Sequence, residues 1–223
     1  LRRALLLSGC ASRILAKKIV QAPNHSGLGL MNSGPAIEKM RDDVTRQLGS
    51  QDWYLPVGGP AAKLRVEIIE PRYYHLRHTL KIESDKKAAN KANVAFNMNW
   101  DPPKALGPEV SFIGTVILLH GIYASKEAML HRGMYLAERG YRCVLVDLRG
   151  HGESTGDRIT YGAIETHDLK LLLDELQRRG LAGDRVGVLG ISYGASIGLM
   201  LAAQDERVAT VVGLQPFADA REA

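Results

Sequence analysis

The apolar pattern changes character at Gly114. Before it, the signals are short and mixed. Pro35 to Leu48 predicts a helix, with Pro at its start, Gly49 past its end, and Ile37, Met40, Val44 and Leu48 on one face. Arg65 to Ile69 and Tyr73 to Glu83 are β-type runs, the second with Leu76, Leu80 and Ile82 partly alternating with polar residues. Asp85 to Asn93 is rich in Lys, Asn and Ala and reads as a solvated turn or loop. Val94, Phe96, Met98 and Trp100 alternate as a further strand, which Asp101-Pro102-Pro103 ends. After Gly114 the chain alternates strand and helix. Continuous apolar strands are expected at Thr115–Leu119, Tyr141–Val146, Val186–Leu189 and Val208–Leu214. Between them lie helices at Ser125–Arg139, Gly162–Arg179 and Ala195–Ala203, the second with Leu169, Leu172, Leu173 and Leu176 on one face. Such a pattern predicts an α/β fold, a mostly parallel sheet with helices on both faces, preceded by antiparallel strands and an N-terminal helix. In these sheets the working residues sit at the carboxyl ends of strands.

Composition narrows the classes. The 223 residues are 45% apolar and 24% charged, enough for one substantial core and neither disordered nor disulfide-dense. The net charge of +5 is spread out, and no nucleic-acid-reading module accompanies it. No run approaches the roughly 20 apolar residues of a membrane span. The first residues, Leu-Arg-Arg-Ala-Leu-Leu-Leu-Ser-Gly-Cys, read as the tail of a secretory signal. Leu7-Ser8-Gly9-Cys10 resembles a bacterial lipobox, in which the Cys10 thiol carries the lipid, and Ala11 suggests outer-membrane sorting by the same resemblance. The competing reading is an ordinary amphipathic helix from Leu1 to Val20 and a cytoplasmic protein. On the first reading, residues 1–9 are a signal remnant and residues 10–62 carry the lipid-bearing Cys10, a Gly-rich tether at 21–34 and a helix. Residues 63–223 form the main domain. Cys143, in an apolar strand, is expected to be a buried, inert thiol.

Three short motifs carry the chemistry. Gly190-Ile191-Ser192-Tyr193-Gly194 follows an apolar strand and opens a helix, the context in which a Gly-x-Ser-x-Gly run exposes a serine at a strained bend. His120-Gly121-Ile122-Tyr123 follows an earlier strand, where the Ile122 N–H, with that of Tyr193, is placed to receive a developing oxyanion. His120 itself reads as a brace for its turn, and Tyr123 as a pocket wall. Asp147-Leu148-Arg149-Gly150-His151-Gly152-Glu153-Ser154 follows the strand ending at Val146.

In this order and spacing, the three motifs resemble the α/β-hydrolase superfamily over about residues 110 to 223. The resemblance implies a serine hydrolase, esterase or peptidase, acting on a small acyl substrate or peptide without a cofactor. It implies that Ser192 is the nucleophile and that the Asp147–Ser154 loop is structural. It also places the triad's acid and then its histidine after the serine. All seven histidines precede Ser192, so the base is expected beyond Ala223, the chain is expected to be the first part of a longer hydrolase, and these residues alone are expected to be nearly inactive. Asp219 is the one acid candidate after the strand Val208–Leu214, with an ordinary loop carboxylate as the competing reading. No metal site is expected, because His75 and His78 on one strand would face opposite ways. His167 and Asp168 are expected to face solvent. The alternative function is a catalytically inactive binding or scaffolding lipoprotein that keeps the fold.

Overall fold

The computed structural model describes residues 17–26, 35–84, 92–101 and 110–217. Six strands form the main sheet: β1 (Gln51–Val57), β2 (Ala62–Ile69), β5 (Gly114–Leu119), β6 (Tyr141–Val146), β7 (Val186–Ile191) and β8 (Val208–Leu214), in the order β1-β2-β6-β5-β7-β8. The pairs β5–β6, β5–β7 and β7–β8 are parallel, while β1–β2 and β2–β6 are antiparallel. A separate antiparallel hairpin joins β3 (Arg77–Ser84) to β4 (Ala92–Asn99). The helices are α1 (Pro35–Leu48), α2 (Leu130–Ala137), α3 (Glu165–Arg178) and α4 (Tyr193–Ala202).

Period-two alternation along the central strands builds a core on each face of the sheet. Ile117, Leu119, Val144 and Val146 pack with Leu169, Leu172, Leu173 and Leu176 of α3 and with Ile197 and Leu201 of α4. Their neighbours Leu118, Cys143 and Leu145 point the other way, against Met134 and Ala137 of α2 and Leu48 of α1. Each fully buried Leu or Ile contributes about 1.5–3 kcal/mol through removal from water. Cys143 is a free, buried thiol whose pKa burial pushes up, as its strand position implied.

Several elements differ from the sequence expectation, each for a local reason. The strand β1 was not foreseen; it carries Pro56, which an edge strand tolerates because one of its sides has no partner strand among the described residues. The run from Tyr73 becomes a strand only at Arg77, because the N–H groups of Tyr74 and Leu76 donate to the Glu138 carboxylate instead of to a ladder. His75 therefore lies outside the strand, with its Nδ1 2.6 Å from the Asp101 carboxylate. The helix expected at Ser125–Arg139 is a 3-10 turn at Lys126–Met129 followed by α2. The helix expected from Gly162 begins at Glu165, whose carboxylate turns back to accept the N–H groups of Thr160 and Gly162, both at 2.8 Å.

Part of the expected tether is ordered. Residues 21–26 lie against the loop that follows β6: Gln21 bridges Arg158, Ala22 is buried, and the Asn24 side chain donates to the carbonyls of Gly152 and Ser154 at 3.0 and 2.9 Å. Cys10 and Asp219 lie outside the described residues. Among the described residues no helix is long and apolar enough to cross a membrane.

Candidate active site

The site forms where β5, β6 and β7 end. Ser192 stands between β7 and α4 with φ +48° and ψ −112°, a left-handed conformation that a residue with a side chain rarely adopts. Its N–H donates to the Leu214 carbonyl at 2.8 Å, so β8 holds the bend from one side. The flanking glycines are sterically required. A β-carbon at Gly190 would stand 2.5 Å from the Gly194 carbonyl oxygen, and one at Gly194 would stand 2.4 Å from the Leu119 carbonyl oxygen. The bend packs against the end of β5 at a distance that leaves no room for a methyl group.

The β5 loop faces the same bend, since a β-carbon at Gly121 would lie 3.8 Å from the Ser192 Cβ. Ile122 follows directly, half-buried, and Tyr123 takes φ +59°. Among the described residues no hydrogen bond engages the N–H of Ile122, the N–H of Tyr193 or the Ser192 hydroxyl. The Tyr193 N–H belongs to the first turn of α4, where backbone donors lack helical partners and the helix dipole favours negative charge. The Tyr193 ring turns inward instead, fully buried against His151 and Tyr161 with ring centroids 5.5 and 5.7 Å away.

Two histidines lie close by, and both are braces. His120 donates from Nδ1 to the Gly121 carbonyl at 2.8 Å and accepts the Leu148 N–H at Nε2, 3.0 Å away. Those partners fix the neutral Nδ1–H tautomer. Burial, with the nearby His151, pushes the His120 pKa down to about 3. His151 donates from Nδ1 to the Arg149 carbonyl at 2.8 Å, and burial takes its pKa to about 4.

The loop after β6 is structural. The buried Asp147 carboxylate accepts the N–H groups of Lys126 and Glu153 at 2.6 and 2.9 Å, while Ser154 Oγ donates to the Asp147 carbonyl and accepts the Arg65 N–H. Gly152 has φ +52°, and a β-carbon there would fall 2.3 Å from the Asp147 carboxyl carbon, which explains the second glycine of that motif. Asp168 corrects the sequence expectation: it is 2% exposed and clasps the Arg149 guanidinium, while His167 beside it does face solvent. Sequence reasoning also passed over Lys126, which is 2% exposed among Glu67, Glu127, Asp147 and Glu153. These carboxylates hold its ammonium protonated despite the cost of burial.

An open apolar groove of about 610 Å³ lies elsewhere, on the sheet face beside α2, lined by Val116, Tyr135, Leu136, Val188 and Val212 among others. Its walls come from the starts and middles of the strands, so it does not open on Ser192.

A sheet of this order, with a serine bend at the end of its central parallel strands, defines the α/β-hydrolase class. Residues 114–223 match the family described as alpha/beta hydrolase fold, which places this part of the chain in that superfamily. Among curated proteins it is 33% identical over 84 residues to the "Putative esterase YitV" of Bacillus subtilis, covering 38% of this chain and 32% of that protein. It is 31% identical over 107 residues to an Escherichia coli 31.7 kDa protein from the traX-finO intergenic region, covering 47% of this chain and 37% of that protein. Similar solved structures are an esterase from Pyrococcus furiosus (TM-score 0.52, 21% identity, 77% of this chain and 54% of that one) and the hydrolase GrgF from Penicillium sp. sh18 (TM-score 0.54, 19% identity, 76% and 47%). The chain thus spans about a third of these curated relatives and about half of these structures.

Proposed function

We propose that the protein is a serine hydrolase that transfers an acyl group from an ester or amide to water through Ser192. The observation that carries this reading is the strained Ser192 bend beside two backbone amides, those of Ile122 and Tyr193, that no hydrogen bond engages among the described residues. Ser192 Oγ attacks the substrate carbonyl carbon, and the hydroxyl proton passes to a general base. The carbonyl oxygen becomes an anion that the two N–H groups receive. Collapse expels the alcohol or amine with a proton, and water then releases the acid from Ser192. The base is a residue other than His120, whose Nε2 already accepts the Leu148 N–H, or His151, which burial makes a weak base with its pKa at about 4. The esterase names of two relatives favour an ester as the substrate.

A fluorophosphonate probe and p-nitrophenyl esters test the reading on the full-length protein. Wild type is expected to label covalently and turn the esters over, and Ser192→Ala to do neither. Labelling or turnover that survives Ser192→Ala would remove Ser192 from the reaction.

A further inference from the structure

The β5 loop that presents the Ile122 amide is anchored at both ends to the loop after β6. At the first anchor His120 accepts the Leu148 N–H at 3.0 Å. At the second, Lys126 donates its backbone N–H to Asp147 Oδ1 at 2.6 Å and its ammonium to Glu153 Oε2 at 2.6 Å and Glu127 Oε1 at 2.5 Å. Between the anchors the chain makes a tight turn, with the Ala124 N–H on the Gly121 carbonyl at 3.2 Å and Tyr123 at φ +59°. The anchors therefore fix where the Ile122 N–H stands relative to Ser192.

Lys126 is too deeply buried to meet solvent or substrate. Burying an ammonium among carboxylates gives little net stability compared with apolar packing of the same volume. What such a cluster adds is direction, because each carboxylate accepts from a stated angle. We infer that Lys126 is a positioning residue for the proposed hydrolysis: its ammonium's hold on Glu153 and Glu127, beside the backbone bond to Asp147, sets the Ile122 amide at the position that the substrate's carbonyl oxygen reaches in the tetrahedral intermediate. This rests on the reading of Ile122 given above.

The test uses the full-length protein with Lys126→Met and Glu153→Gln, each checked for native circular dichroism. Three quantities are measured: kcat and KM on a p-nitrophenyl ester, affinity for a trifluoromethyl ketone that adds to Ser192, and affinity for the matching methyl ester's non-hydrolysable ether. Lys126→Met is expected to lower kcat by about 10- to 100-fold with KM within about threefold, less than the loss of a whole oxyanion donor. Ketone affinity should fall in step with kcat/KM, while ether affinity holds. Glu153→Gln, at the more exposed end of the cluster, should shift the same ratio in the same direction by a smaller factor. A merely structural role would lower stability and leave the ketone-to-ether ratio unchanged. That result in folded Lys126→Met, or in Glu153→Gln if Lys126→Met does not fold, overturns the inference. Failure of the underlying reading looks different: Ser192→Ala would then keep its turnover and its ketone affinity.

Discussion

Arg149 and Asp168 meet as a buried fork, Nε to Oδ2 and Nη2 to Oδ1, both at 2.8 Å, with neither residue more than 2% exposed. The remaining guanidinium nitrogen, Nη1, donates to the Pro60 carbonyl at 2.8 Å, so one arginine ties the loop after β6 to α3 and to the β1–β2 turn. Removing one partner leaves a buried, uncompensated charge. Asp168→Ala is therefore expected to destabilise the fold by about 3–5 kcal/mol, measured by urea unfolding. A loss under about 1 kcal/mol would mean that water reaches Arg149 and that the fork is not structural.

The sequence reading missed that fork by expecting Asp168 to face solvent, although the helical spacing carried a signal against it. Asp168 sits four residues before Leu172, and Glu165 four before Leu169, so both share the apolar stripe of α3, which is the side that the structure buries. A stripe that includes carboxylates demands buried donors, and Arg149 in the preceding motif was the available one. The parallel half of the sheet could be read because its strands are buried on both faces and so are apolar throughout. The β1 strand and the ordered residues 21–26 could not. Pro56 interrupts the β1 run although its partner β2 follows directly, whereas the partners of residues 21–26 lie far along the chain, as with Asn24 and Gly152, and no local period announces such contacts. Lys126 gave no signal at all, since a lysine after a strand usually faces water.

Ser192 offers a test of strain. A non-glycine residue held in a sparsely populated region costs of order 1–3 kcal/mol, which glycine avoids. Ser192→Gly is expected to raise the melting temperature relative to Ser192→Ala, by an amount corresponding to about 1 kcal/mol. Gly194→Ala should do the reverse, because its methyl would collide with the Leu119 and His120 carbonyls. Thermal unfolding of the three variants side by side decides the matter. Equal stability of the Gly and Ala variants at position 192 would show that the bend is unstrained.

The buried histidines make stability depend on pH. His120 has a folded pKa near 3 against its ordinary 6.5, so the unfolded chain binds the extra proton between these values. The stabilisation is fully present above pH 6.5 and is lost as the pH falls toward 3. Asp147, which burial pushes up to about 7, acts in the opposite sense above its ordinary 3.8, so the full pH curve is a sum. The difference between wild type and His120→Gln isolates one member of that sum. Between pH 6 and 4 the wild-type unfolding free energy should fall more steeply than the variant's, by about 1.4 kcal/mol per pH unit. Parallel curves from urea titrations across that window would show that His120 ionises normally in the fold.

Asn24 tests whether residues 21–26 belong to the folded unit. Its side chain donates to the Gly152 and Ser154 carbonyls and its N–H to the Gly150 carbonyl, while the Tyr161 hydroxyl reaches the Ile19 carbonyl at 3.2 Å. The segment thus closes over the loop that braces the Ser192 bend. Each lost side-chain hydrogen bond removes about 1 kcal/mol net, and the two carbonyls left behind are only partly reached by water. Asn24→Ala is expected to destabilise by about 1–2 kcal/mol, which lowers the melting temperature of a domain this size by roughly 2–8 °C. Limited proteolysis should also cut the variant earlier between residues 17 and 26. A free tether would give neither change, because its side chains have nothing to release.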